Sequence, residues 1–166
     1  MSKHIATLAG MFAMSATLLG AAPALAQSAQ APSVDPQSGL IKVRSAYSME
    51  ETIARIRKDI AAKGIMFFSE VDQAKLAADA GIKLRPSTLL TFGNPPLGAQ
   101  FLTSNPYSGL DWPVRVLVLQ DDSGAVWAAY TDFGWIAQRH GIRDRDQQFA
   151  TASGVVQSIT STIRVQ

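Results

Sequence analysis

Residues 114–130 read VRVLVLQDDSGAVWAAY, and this stretch decides the fold. Two apolar runs flank Asp121-Asp122-Ser123-Gly124, whose residue types are typical of a tight turn. The two runs are therefore predicted to pair as an antiparallel hairpin. The first run, residues 114–119, is apolar at nearly every position, so we expect it to be a central strand of the sheet.

Helical spacing of apolar residues occurs on both sides of this hairpin. Steps of three and four residues join Met49, Ile53, Ile56 and Ile60 in one segment, and Phe149, Ala152, Val156, Ile159 and Ile163 in another. The second segment predicts a C-terminal helix over residues 147–165. With the strands between them, the order of elements predicts an α+β two-layer sandwich, in which helices pack on one face of a mixed, mostly antiparallel sheet.

Two more strands are predicted before the hairpin. Residues 65–71 are too apolar in their first half for both faces to meet water, so we expect at least one face of that half to be covered. Residues 88–92 form a strand that ends at Gly93-Asn94-Pro95-Pro96, because proline cannot donate to the sheet. Loops that follow strand ends in this way are common ligand sites.

The first 26 residues are typical of a secretory signal peptide. Lys3 and His4 precede an apolar stretch from Ile5 to Leu19, which is followed by Ala24-Leu25-Ala26. We expect cleavage after Ala26 and a periplasmic location. An uncleaved anchor or a buried helix is the less favoured interpretation. Residues 27–39 are interpreted as a flexible leader, and residues 40–166 as a single domain.

Charge and cysteine content exclude several classes of function. The chain has 15 basic and 13 acidic residues, and cleavage would remove only Lys3, leaving 14 basic residues against 13 acidic ones. The mature protein is therefore close to neutral, and we expect no nucleic-acid partner and no stable membrane insertion after cleavage. Cysteine is absent, which excludes thiol chemistry and cysteine-based metal sites. No metal-ligand spacing or cofactor fingerprint is found, so we expect neither a metal nor a cofactor.

The turns that follow or precede strands resemble those of the bacterial family called domain of unknown function 302. The resemblance covers roughly residues 46–142 and includes Phe92-Gly93-Asn94-Pro95, Leu110-Asp111-Trp112-Pro113, Tyr130-Thr131-Asp132 and Arg139-His140-Gly141. It implies a small α+β domain that associates as a homodimer. Phe133 stands where the family often has proline, and Gln73 follows Asp72 where the family often has histidine. If the family used that imidazole in chemistry, this chain has lost it; if Asp72 only caps a helix, nothing has changed, and the sequence favours the cap.

Polar residues of these turns are the candidates for a functional site. Asp111, Asp132 and His140 are the candidates for acid/base catalysis, and His140 is the one histidine left after cleavage. Asp132 lies about 12 Å before His140 along a helix, too far for a direct hydrogen bond. The favoured interpretation is therefore that Asp132 caps the helix and His140 lies near its C-terminus. The candidate ligand-binding residues are Asn94, Asp111, Trp112, Tyr130 and Asp132.

The sequence thus predicts an exported binding or interaction module, homodimeric and with an unknown ligand. The alternative is an enzyme of unknown reaction that uses Asp132 or Asp111 with His140 as acid and base. Both interpretations require the three strand-end turns around Asn94, Asp111 and Asp132 to meet at one end of the sheet.

Overall fold

The computed structural model describes residues 34–164, which form five strands and six helices. The strands are β1 (Leu40–Arg44), β2 (Met66–Asp72), β3 (Ser87–Gly93), β4 (Val114–Gln120) and β5 (Val126–Thr131). The helices are α1 (Met49–Ala62), α2 (Gln73–Asp79), α3 (Pro95–Ser104), a 3-10 helix (Pro106–Asp111), α4 (Phe133–Arg139) and α5 (Asp146–Ser161). The predicted signal peptide, residues 1–26, lies outside the described residues.

The five strands form one sheet in the order β1-β5-β4-β3-β2. The predicted hairpin of β4 and β5 is confirmed, and β4 is the central strand as expected. The α+β class is confirmed. All four strand pairs are antiparallel, so the sheet is fully antiparallel rather than mixed. Helix α1 connects β1 and β2, which are the two edge strands.

The core lies between one face of the sheet and helices α1 and α5. Both predicted helical stripes face it. Ile56 and Ile60 of α1 and Val156, Ile159 and Ile163 near the end of the chain are at most 1 % exposed. Each such side chain contributes roughly 1.5–3 kcal/mol when it is fully buried. The two predicted helices therefore hold the sheet through their buried stripes.

The opposite face of the sheet carries the alternate residues of each strand. Leu89, Leu117 and Ala129 form one row across three strands of this face, and the first two are only half-buried. The next row toward the end of the sheet contains Thr91 and Arg115. We call this surface the open face.

Strand β2 has one half-buried face and one exposed face, as its composition predicted, although none of its residues is fully buried. It lies at the edge of the sheet, where Met66 is 53 % and Phe68 is 45 % exposed. Phe67, on the other face, is half-buried against the core. Helix α2, which follows β2, likewise contains no buried residue.

The ends of the domain also differ in detail from the sequence interpretation. Residues 34–39, assigned to the leader, form a turn in which Val34 bridges Ile41 and the backbone nitrogen of Gly39 donates to the carbonyl of Asp35. Helix α5 ends at Ser161 rather than at residue 165. Among the described residues, no helix combines the length and apolar character that crossing a membrane requires.

Candidate functional site

The three predicted turns meet at one end of the sheet. Asn94 follows β3, Asp132 follows β5, and Asp111 lies shortly before β4. Because β4 runs antiparallel to both neighbours and Phe92 pairs with Val114, the ends of β3 and β5 lie beside the start of β4. The topology therefore brings these turns to a common edge, although their side chains do not all share one pocket.

Asn94 and Asp132 are helix caps. The Asn94 Oδ1 atom accepts a hydrogen bond from the backbone nitrogen of Leu97 at 3.1 Å, and the Asp132 Oδ1 atom accepts one from the backbone nitrogen of Trp135 at 2.8 Å. Each satisfies a free N–H group in the first turn of its helix. The capping role predicted for Asp132 is confirmed, and the structure does not pair its carboxylate with His140.

Asp111 instead binds His140 and two arginines, in a group that we call the Asp111 cluster. His140 Nε2 lies 2.7 Å from Asp111 Oδ2. Arg115 Nη2 donates to Asp111 Oδ1 at 2.9 Å, and Arg139 Nη1 lies 3.2 Å from Oδ2. The side chains of Asp111 and His140 are 4 % and 6 % exposed, whereas those of Arg115 and Arg139 are 48 % and 45 % exposed. The buried carboxylate of Asp111 is thus paired with one buried imidazole and with two guanidinium groups that reach the surface.

The Asp111 cluster joins three separate segments of the chain. Asp111 ends the 3-10 helix, Arg115 belongs to β4, and His140 is the residue that ends α4. The carbonyl oxygen of His140 also accepts a hydrogen bond from Asn105 Nδ2 at 2.8 Å. These contacts fix the 3-10 helix against the end of α4.

Acid/base catalysis at His140 and Asp111 requires access for a substrate. The two cavities next to Asp111 have volumes of about 20 and 10 Å³. A cavity of that size holds one water molecule at most. The pair has the geometry for proton transfer, but both side chains are almost fully buried.

Trp112, the residue after Asp111, lines a much larger cavity of about 320 Å³, which we call the Trp112 cavity. The cavity lies between the end of the sheet and helices α3 and α5. Its walls are mostly apolar and are formed by Ile65, Phe92, Leu97, Val114, Ala152, Val155 and Val156 together with Trp112 and Gly93. Lys63, Asn94 and Thr151 add an amine, an amide and a hydroxyl.

The indole of Trp112 is held by close packing on two glycines. A Cβ atom at Gly98 would lie 1.9 Å from the ring, and one at Gly93 would lie 2.8 Å from it. The ring of Phe101 lies on another side, at a centroid distance of 5.9 Å. The glycines therefore allow the indole to approach the backbone and to form one wall of the cavity.

Tyr130, a predicted ligand-binding residue, lies in the core. It is 4 % exposed, and its Oη atom has no hydrogen-bond partner among residues 34–164. Burial raises the pKa of the Tyr130 hydroxyl above its ordinary value of 10.0. The structure therefore places Asn94 and Trp112 at the large cavity, Asp111 in the ion cluster, and Tyr130 and Asp132 at neither.

Sequence reasoning missed two parts of this arrangement. The role of Arg139 was not predicted, although it precedes His140 in one of the quoted motifs. The contribution of α5 to the Trp112 cavity was also missed, because Val155 and Thr151 lie beside the buried stripe of that helix rather than on it. Gly98, a glycine within α3, was the available sign of a close contact.

Among residues 34–164, no group of three His, Asp or Glu side chains is arranged to hold a metal ion. Lys63 at the Trp112 cavity is paired with Asp59 at 2.5 Å. The amine of Lys63 is thus already paired with a carboxylate, and the remaining walls of the cavity are mostly apolar.

Known proteins resemble this chain in sequence and in fold. The sequence profile of Domain of unknown function DUF302 matches residues 41–161. Fluoride-specific ion channel FluC 1 of Brucella suis biovar 1 (strain 1330) is 40% identical over 105 residues, which are 63% of this chain and 41% of that protein. Fluoride-specific ion channel FluC 2 of Brucella melitensis biotype 1 is also 40% identical over 105 residues, covering 63% of this chain and 39% of that protein. The chain thus spans about two fifths of the length of these curated relatives.

The fold also matches a solved structure. The crystal structure of an uncharacterized conserved protein DUF302 from Bacillus stearothermophilus superimposes with a TM-score of 0.69 at 17% identity. The match covers 76% of this chain and 98% of that one. At this identity the likeness concerns the fold alone. Because the family profile matches most of the sequence and the fold agrees, the chain belongs to the family Domain of unknown function DUF302.

Proposed function

We propose that this protein is a binding module whose ligand occupies the Trp112 cavity. The observation that carries the proposal is the cavity itself, about 320 Å³ in volume, with an apolar wall and few polar groups. Sites for small molecules have this size and this balance of apolar and polar surface. The ligand class that fits is a small apolar or amphipathic molecule whose polar group lies near Lys63 or Asn94.

The alternative of an enzyme that uses Asp111 with His140 has less support. The pair lies behind cavities of 20 Å³ or less, whereas the Trp112 cavity has no acid/base pair among its lining residues. The substitution His140→Gln separates the two proposals. Under the binding proposal, ligand affinity and any turnover that is detected stay unchanged, and loss of a turnover would support the enzyme.

The binding proposal is tested with the fluorescent probe 8-anilinonaphthalene-1-sulfonate. Val155→Phe places a ring in the cavity and is expected to weaken probe binding by at least about tenfold, since filling the space removes the apolar contacts. Gln157→Phe adds the same ring on an exposed position of the same helix and serves as the control. Circular dichroism shows whether both variants are folded. Equal probe binding by the two variants would refute the assignment of the ligand to this cavity.

The homodimer is part of the same proposal, with β2 and α2 as the interface. Five of the nine large apolar side chains that are exposed within residues 34–164 lie in β2, in α2 or in the residues just after α2: Met66, Phe68, Leu76, Ile82 and Leu84. An edge strand also offers unpaired backbone groups to a second copy. Native mass spectrometry of Phe68→Lys should then show more monomer than the wild type, while Leu102→Lys, at another exposed apolar position, should not. A monomeric wild type would refute the dimer.

Export to the periplasm is supported by the pattern of residues 1–26. Expression of the full chain followed by cell fractionation tests it. The expected product is periplasmic and has an intact mass that begins at Gln27. Recovery of the full-length chain from the cytoplasm would refute export.

A second candidate function comes from the Brucella relatives, which are named as fluoride-specific ion channels and share 105 residues with this chain at 40% identity. This candidate is a module that works together with a fluoride channel. It predicts that a strain lacking the protein is more sensitive to sodium fluoride than its parent, and that sodium chloride has no such effect. Equal growth of the two strains in fluoride would remove this candidate.

A further inference from the structure

Arg115 and Arg139 present a pair of half-exposed guanidinium groups held by one buried carboxylate. Arg115 Nη2 lies 2.9 Å and Arg139 Nη1 lies 3.3 Å from the same atom, Asp111 Oδ1. The two guanidinium groups are therefore neighbours at the surface, although like charges repel each other. The Asp111 side chain, which is 4 % exposed, contacts both guanidinium groups and thereby holds them close to each other.

The charges of this group do not cancel. Two arginines share one aspartate, and among residues 34–164 neither arginine forms an ion pair with any other carboxylate. Asp111 and the two arginines together carry one excess positive charge. The cluster therefore attracts an anion from solution.

Hydrogen-bond donors remain available on both arginines. Each guanidinium has five N–H groups. Within the described part of the chain, Arg115 uses Nη2 alone, toward Asp111 and the carbonyl oxygen of Leu110, and Arg139 uses Nη1 alone. Both guanidinium groups can therefore donate further hydrogen bonds while the contacts to Asp111 remain intact.

The surroundings add hydroxyl groups and an aromatic ring. Arg115 lies on the open face, where it pairs across the sheet with Thr91, and it shares the lining of a small recess with Thr131. The guanidinium of Arg139 lies 5.6 Å from the centre of the Trp135 ring. Thr131 is half-buried and can donate its hydroxyl hydrogen to an acceptor in front of Arg115.

We propose that Arg115 and Arg139 form a binding site for an oxyanion, of which phosphate or a phosphate monoester fits best. Paired arginines match the several acceptor oxygens of a phosphate, and its charge of about −1.5 to −2 at neutral pH offsets the excess positive charge of the cluster. A monocarboxylate offers fewer acceptors and a smaller charge. Asp111 is a positioning residue in this site, because it contacts the arginines rather than the anion.

The site is separate from the Trp112 cavity, since Arg115 and Arg139 are not among the residues that line the cavity. The inference therefore does not depend on the proposed ligand. It is tested on the folded chain with inorganic phosphate as the probe, by calorimetry and by the shift of the phosphorus NMR line, with acetate and sulfate titrated in parallel.

The variants Arg115→Gln and Arg139→Gln are each expected to weaken phosphate binding by about tenfold, because each loses one charge-assisted contact. Arg57→Gln is the matched control: Arg57 is also half-exposed and pairs with one carboxylate, that of Glu70, at 2.7 Å. The control should bind phosphate as the wild type does. Arg115→Lys keeps the charge and should lose less affinity than Arg115→Gln if hydrogen bonds contribute.

The outcomes are distinguishable. The site is supported if the wild type binds phosphate saturably and more tightly than acetate, and if both glutamine variants bind phosphate more weakly. Absence of saturable binding by the wild type overturns it, as does an equal loss in Arg57→Gln, which would indicate attraction by net charge alone. Probe binding in the Trp112 cavity is measured on the same variants and should be unchanged, which shows that they are folded and that the two sites are separate.

Discussion

The substitution Gly98→Ala tests the packing that forms the Trp112 cavity. A Cβ atom at this position would lie 1.9 Å from Trp112 Cε2 and 2.1 Å from Nε1, whereas ordinary contact begins at 3.4 Å. The ring or α3 must therefore move by about 1.5 Å, which is large for a close-packed interior. Overpacking of this kind costs about 1–3 kcal/mol, and the rigid indole places the cost near the upper end. Because alanine favours a helix over glycine by about 1 kcal/mol, the expected net loss of stability is about 2 kcal/mol.

The matched control is Gly154→Ala in α5. Nothing lies within 4 Å of a Cβ atom built at Gly154, and the residue is exposed. The same substitution should therefore raise the free energy of unfolding, by about 0.5–1 kcal/mol, because only the helical preference acts. Urea unfolding followed by circular dichroism measures both variants. A Gly98→Ala variant as stable as Gly154→Ala, with unchanged affinity for the anilinonaphthalene probe, would refute the packing argument.

Three further predictions concern the polar groups at the turns. Asp132→Ala removes the cap of α4 and should lower the free energy of unfolding by about 0.5–2 kcal/mol, measured by urea unfolding, with Asp132→Asn losing less because its side chain still caps. Asp111→Asn leaves His140 and two arginines without their carboxylate and should lower the free energy of unfolding by about 1–3 kcal/mol in the same assay. The loss is smaller than for a fully buried ion pair, because both arginines reach solvent. The hydroxyl of Ser123 and the indole N–H of Trp127 lower the pKa of Asp121 from 3.8 to about 2. Its contribution to stability is therefore complete above pH 3.8 and lost as the pH falls toward 2, so the difference in urea midpoint between the wild type and Asp121→Asn should shrink across that window.

The features that were predicted correctly depend on neighbours in sequence. The β4–β5 hairpin follows from its turn residues, and Asp132 is recognised as a cap because its partner, the backbone nitrogen of Trp135, is three residues away. The buried stripes of α1 and α5 follow from the helical period, which sets the face that each side chain occupies. Local geometry alone was sufficient for these.

The features that were missed depend on which segments meet in three dimensions. The position of β2 at an edge of the sheet follows from the strand order, which composition does not encode. The contact between Asp111 and His140 joins residues 29 positions apart, and the sequence offered both Asp111 and Asp132 as its partner. Only the position of the 3-10 helix against the end of α4 selects Asp111. The walls of the Trp112 cavity likewise come from the sheet, α3 and α5, which are far apart in sequence and meet only in the folded domain.

The motif Leu110-Asp111-Trp112-Pro113 explains why one end of the sheet carries both candidate sites. The carbonyl of Leu110 and the carboxylate of Asp111 both accept hydrogen bonds from Arg115, while the next side chain, Trp112, packs on α3 and lines the cavity. Adjacent residues thus hold an ion cluster at the surface and the wall of an apolar cavity. Each group of this motif that could serve in catalysis already has a structural partner, and what remains free at this end of the sheet is cavity space on one side and guanidinium donors on the other. Apolar cavity space and donors that Asp111 does not use are what a bound ligand requires, and the two binding proposals rest on these two features.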